Sequence, residues 1–177
     1  MARGSTREEI LSAAAGLFAA DGYKGTSLQD IAAAVGCSKA TLLYHFATKE
    51  MILATLLAPP VRDLVTLTEQ VAGRPAAEAQ QQAIEGFVDL VLNYRREIAL
   101  IFHDLAFLFN ESSFADLRDL TDVLGAALAG GAKDPAALVK ARVMMAGIAL
   151  ITVDPVEGVD VRAVLIDVAR RALVERA

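Results

Sequence analysis

Apolar residues in the first fifty positions recur every three or four places. Ile10, Ala14, Leu17 and Phe18 share one helical face, and Leu28, Ile31, Ala32 and Val35 a second. Leu42 and Phe46 make a third, shorter stripe. Polar residues with capping chemistry stand between the stripes. Thr6, followed by Glu8 and Glu9, opens a helix over residues 6–20, and Asp21-Gly22 closes it. Thr26 or Ser27 opens the next, with Asp30 as the reciprocal partner of a capping box if Ser27 is the cap. Gly36 ends that helix, Ser38 caps a third of about seven residues, and Thr48 caps a fourth through Met51, Leu53, Leu56 and Leu57.

Further along, Pro59-Pro60 interrupts the fourth pattern. An interior proline costs about 3 kcal/mol, so a kink or restart is predicted there, with the helix resuming over residues 61–71. Gly73-Arg74-Pro75 is a clear break. Four helical patterns follow over residues 76–94, 97–109, 113–129 and 135–152, and a last one over 159–175. The expected fold is all-α with about nine helices.

Composition agrees with that reading: 55% of the 177 residues are apolar and only 5 are proline. The lone Cys37 rules out an internal disulfide, and His45 and His103 lie too far apart in sequence to suggest a metal site. No metal or cofactor is expected. The opening MARGSTREEI has no apolar signal region, and neither of the most apolar runs, 98–109 and 143–153, reads as a membrane span. A cytoplasmic protein is expected. Net charge is −5, yet residues 1–50 are neutral, so the acidic excess lies wholly beyond them. Nucleic-acid binding responds to local charge placement, and that neutral segment is where a polyanion could dock.

Helix, glycine turn and short helix form a helix-turn-helix, whose second member enters the major groove. Lys39, Ala40 and Thr41 fall in the first turn of that helix, the end that points at base edges. Tyr44 and His45 close it, within reach of phosphate oxygens, and Lys49 adds an ammonium at the start of the next helix. Taken alone, Tyr44 and His45 could equally be a half-buried pair, and Arg3 and Arg7 either a tail or an arm on the DNA backbone.

The run TREEILSAAAGLFAADGYKGTSLQDIAAAVGCSKATLLYHFATKEMIL, Thr6 to Leu53, resembles the DNA-binding domain of TetR-family transcriptional regulators. Gly22, Tyr23, Thr26, Ser27, Ile31, Ala32, Ser38, Lys39, Thr41, Leu42, His45, Phe46, Lys49 and Glu50 match that family's pattern. Ala40 replaces its common glycine, offering a methyl that can meet a thymine methyl, and Leu43 stands where tyrosine is frequent. The resemblance implies a three-helix DNA-binding domain over residues 1–50, with Thr26, Ser27 and Ser38 joining Lys39, Ala40, Thr41, Tyr44, His45 and Lys49 at the DNA. It further implies a helical dimerisation and effector-binding domain over 51–177.

The residues of that second part fit the implication. Val139, Val143, Ala146 and Leu150, with Val161, Val164, Leu165 and Val168, supply broad apolar faces suited to a four-helix bundle across a two-fold axis. Phe87, Leu90 and Tyr94 share a helical face that could line a pocket, completed by His103, Phe107 and Met144, although Phe107 and Met144 read as plain core on burial tendency alone. Tyr94 and His103 would be the polar anchors, and a small apolar or cationic compound the ligand. The expected protein is a homodimeric repressor that binds a palindromic double-stranded DNA operator and is released by a small-molecule effector. The rival is a small helical enzyme or a plain helical binding module. No nucleophile–base pair or metal cluster stands out in the sequence, and a plain module leaves residues 26–50 unexplained.

Overall fold

The computed structural model describes residues 6–103, 115–132, 134–153 and 158–174, and the side chains of all of these except 102, 103, 152 and 153. Nine α-helices lie within the described residues, and no strand. They are α1 (Thr6–Gly25), α2 (Leu28–Val35), α3 (Lys39–His45), α4 (Lys49–Val71), α5 (Ala76–Asn93), α6 (Arg95–His103), α7 (Ala115–Leu128), α8 (Pro135–Val153) and α9 (Val161–Leu173).

The N-terminal stripes become core as their spacing dictates. Ile10, Ala14, Phe18, Ile31, Ala32, Leu42 and Phe46 are all fully buried, and the rings of Phe18 and Tyr23 meet edge-on at 5.3 Å. The first helix runs past the expected stop only in a formal sense. Gly22 breaks it with φ 76° and ψ 159°, and residues 23–25 form a separate turn.

Pro59-Pro60 does not stop α4, which continues without a break from Lys49 to Val71. The expected restart is absent. Pro60 is buried along with Leu57, Leu64 and Leu67, so packing on the helix's inner face offsets the missing backbone hydrogen bonds. Among the described residues α4 is also long and apolar enough to cross a membrane. Its apolar stripe, however, is occupied by the protein's own interior, packed against α5 and α7.

Helix α5 is the axis of the larger part and packs against α4, α7, α8 and α9. Two ion pairs tie it to α9: Arg162 grips Asp89 with both Nε (2.6 Å) and Nη2 (2.9 Å), and Arg170 reaches Glu85. The buried Gln80 amide donates to the carbonyls of Leu128 (2.8 Å) and Leu173 (3.2 Å), pinning the last residues of α7 and α9 together. Helix α1 packs on α6 as well as on α2 and α4, so the N-terminal helices are seated on the larger bundle. Residue 50, where a domain boundary is expected, lies in the first turn of the continuous α4.

Candidate nucleic-acid interface

The helix-turn-helix is built from local hydrogen bonds that its sequence specifies. Ser27 Oγ accepts from the Asp30 N–H at 3.2 Å, and Asp30 Oδ2 accepts in return from the Ser27 N–H (2.8 Å) and hydroxyl (2.6 Å). The expected capping box is therefore formed, and the Ser27 hydroxyl, then its backbone N–H, hold the Asp30 carboxyl below the usual aspartate range. Gly36 takes the left-handed conformation (φ 75°) that a side chain would strain. With it the N–H groups of Gly36 and Cys37 return to the carbonyls of Ala33 and Ala32, closing α2 in a Schellman turn. Ser38 Oγ then accepts from the Thr41 N–H at 3.0 Å and shares a hydrogen with the Thr41 hydroxyl at 2.8 Å.

The short α3 is divided cleanly. Leu42 and the following Phe46 are buried, whereas Lys39, Ala40, Thr41 and Leu43 are exposed and Tyr44 is 87% exposed. His45 is half-buried, its ring edge-on to that of Tyr44 at 5.3 Å. A tyrosine normally hides most of its ring, so one left almost wholly in solvent on a capped helix stands out. Ser27 and Ser38 are exposed beside it.

Two of the expected contact residues are held by partners within the protein. Thr26 is buried, and its hydroxyl donates to the carbonyl of Gly22 at 2.9 Å, satisfying an acceptor that the helix break leaves open. It faces inward. Lys49 directs its ammonium into the protein, donating to the carbonyls of Tyr23 and Thr26, both at 2.6 Å, and lies over the Tyr23 ring at 4.2 Å. It braces the start of α4 against the turn. Tyr23 completes this brace by donating its hydroxyl to Glu50 Oε1 at 2.7 Å. That bond, more than any other contact, keeps the Glu50 carboxyl below the usual glutamate range. Arg7 lies over the Phe46 ring at 4.9 Å, and Arg3 lies outside the described residues.

The family model of bacterial regulatory proteins, tetR family, matches residues 10–56. The HTH-type transcriptional regulator TcmR of Streptomyces glaucescens is 34% identical over 92 residues, 52% of this chain and 39% of TcmR. The biofilm operon icaADBC HTH-type negative transcriptional regulator IcaR of Staphylococcus aureus (strain Newman) is 46% identical over 46 residues, 26% of this chain and 25% of IcaR. Among solved structures, AmtR of Mycobacterium smegmatis superposes with a TM-score of 0.70 at 28% identity, over 99% of this chain and 88% of that one.

Residues 10–56 thus resemble the N-terminal region of TetR-family regulators, and nearly the whole chain shares the fold of AmtR. The chain spans less than half the length of the curated relatives it matches.

Beyond the family's N-terminal domain, the structure holds a cavity of about 450 Å³ between α4, α5, α6, α7 and α8. Phe87 and Leu90 line it as expected. Tyr94 does not: its hydroxyl donates to Asp63 Oδ2 at 2.7 Å on the exposed side of α4, and this bond first of all raises the phenol's pKa. Met145 lines the cavity where Met144 was expected, the two residues pointing about 100° apart on α8. The His103 side chain and the whole of Phe107 lie outside the described residues. Pro60, Leu64, Ile98, Leu117, Leu124 and Ala149 complete most of the wall, and Arg118, Asp122 and Arg142 stand among the remaining lining residues. Sequence reasoning missed these three, which only tertiary packing brings together from α7 and α8.

The last two helices carry an exposed apolar stripe. Val139, Val143 and Leu150 on α8 are 59%, 66% and 58% exposed, Ala146 is exposed between them, and Val164 and Val168 on α9 are about half exposed. Leu165 is a correction, since it is buried in the chain's own core, and Val161 is partly buried against it. At 100° per residue, the four α8 positions fall within one narrow sector of the helix.

Proposed function

We propose that this chain is a homodimeric transcriptional repressor of the TetR family that binds a palindromic DNA operator and releases it when a small molecule enters the cavity. The observation that carries the reading is the solvent face of α3, with Lys39, Ala40, Thr41 and Tyr44 outside and Leu42 and Phe46 locked inside. Residues 1–50 read DNA, and residues 51–177 dimerise and bind the effector. Lys39, Ala40 and Thr41 discriminate bases, while Tyr44, His45, Ser27 and Ser38 serve phosphate or the helix ends near it. The exposed stripe of α8 and α9 supports the dimer, because six large or small apolar side chains facing water cost free energy that a second copy recovers. Two copies would set their recognition helices about 34–36 Å apart or a multiple of it, which is why the operator is read as a palindrome. The sign of regulation is drawn from IcaR, described as a negative regulator.

DNA sites selected by the full chain from a random pool test this. The selected sites should be inverted repeats, and affinity for them should fall steeply with salt in a gel-shift titration. Failure to enrich any sequence, with binding indifferent to salt, would return the chain to the rival reading of a helical binding module.

A further inference from the structure

The cavity's rim differs in character from its wall. Leu64, Phe87, Leu90, Ile98 and Leu124 present hydrocarbon, whereas Arg118, Asp122 and Arg142 bring charge from α7 and α8. Arg142 Nη2 donates to Asp122 Oδ1 at 3.3 Å, but both side chains are well over half exposed, so water screens the pair and it opens at little cost. Arg118 is exposed and makes no hydrogen bond or ion pair from its guanidinium among the described residues. Among the described lining residues one carboxylate thus stands with two guanidiniums, one positive charge in excess.

We infer that the cavity takes a compound with an apolar body and a single carboxylate, the body against the hydrocarbon wall and the carboxylate on Arg118 and Arg142. This rests on reading the cavity as the effector site. Its volume of about 450 Å³ falls in the range of small-molecule sites, about 300–1,000 Å³. A planar guanidinium matches a carboxylate in two parallel hydrogen bonds, which a hydroxyl head cannot accept and a cationic head would repel. The sequence suggested an apolar or cationic ligand; the rim reverses the sign.

Calorimetric titration of the full chain with decanoate, decanol and decyltrimethylammonium, which share one alkyl chain, reads the head group alone. Decanoate binds at least about tenfold more tightly than decanol, and the ammonium compound binds weakest. Arg118→Met brings decanoate down to the level of decanol. Asp122→Asn frees Arg142 and tightens decanoate, the opposite direction. Equal binding of all three probes, binding of none, or an Arg118→Met protein that keeps its preference for decanoate overturns the inference. Release of DNA is measured separately: decanoate that binds as expected yet leaves the DNA complex intact keeps the ligand class and removes the effector role. DNA released as well by decanol as by decanoate keeps the effector role and removes the ligand class.

Discussion

The ammonium of Lys49 donates to the carbonyl of Tyr23 at 2.6 Å while covering that residue's ring at 4.2 Å. With its second bond, to the carbonyl of Thr26, it ties the first residue of α4 to the turn that precedes the helix-turn-helix. Lys49→Met leaves two carbonyls without this donor and lowers stability by about 1–3 kcal/mol, read by urea unfolding. Any loss of DNA affinity then comes from a displaced α3, so the slope of log affinity against log salt stays at its original value. A slope reduced by about one would put the ammonium on a phosphate instead.

Tyr44 gives the contrasting case. Because it is 87% exposed, Tyr44→Ala leaves thermal stability untouched. Loss of one hydroxyl contact weakens binding by about threefold to tenfold, equally for all DNA sequences. Fluorescence anisotropy on a selected site and on a scrambled one checks both statements, and a change confined to the selected site would make Tyr44 a reader of bases.

Acid should loosen the brace around Tyr23. The Tyr23 hydroxyl holds the Glu50 carboxyl below its ordinary value of 4.5 in the folded protein. The contact is therefore fully stabilising above that ordinary value and is lost as pH falls through the lower, folded one. Tyr23→Phe lowers the melting temperature at neutral pH, and the gap from the parent narrows in the acid range. A gap constant from neutral pH to well below the glutamate range would show that the hydroxyl contributes nothing through Glu50.

Gln80 tests the centre of the bundle. Its amide nitrogen serves two carbonyls, Leu128 and Leu173, in a buried position. Gln80→Leu keeps the volume but strands both acceptors, costing about 1–3 kcal/mol for each group left unpaired. Chemical denaturation measures it, and a substitution within about 0.5 kcal/mol of the parent would mean that water replaces the amide.

Val143→Asp sets a charge in the middle of the α8 stripe, at a position 66% exposed in the single chain. Sedimentation velocity should find it monomeric at concentrations where the parent is dimeric, with helix content preserved. A variant that sediments as the parent does moves the self-association surface elsewhere.

The sequence was most legible where structure is decided by near neighbours. Ser27 with Asp30, Gly36, Ser38 and Thr48 cap and stop helices through bonds spanning three or four residues, and each stands where its pattern predicts. The inward stripe of Leu42 and Phe46 was readable for the same reason. The internal partners of Lys49 and Thr26 were not legible, because they are set by the break at Gly22 and by how α4 approaches it, distances no local pattern contains. In the cavity, periodicity found Phe87 and Leu90, both on α5, but could not say that Tyr94 turns to Asp63 or that Met145 replaces Met144. Leu165 fell on the wrong side of α9 because two apolar faces of one helix look alike until its neighbours are known.

Pro59 and Pro60 bring no N–H to the carbonyls of Thr55 and Leu56, so two successive rungs are missing halfway along α4. Pro60 is also part of the cavity wall, and Lys49 at the same helix's first residue holds the turn that leads into the helix-turn-helix. A ligand filling the cavity would press on this rod where it resists bending least, so the two halves of α4 would change their angle there and the turn held by Lys49 would move with the first half.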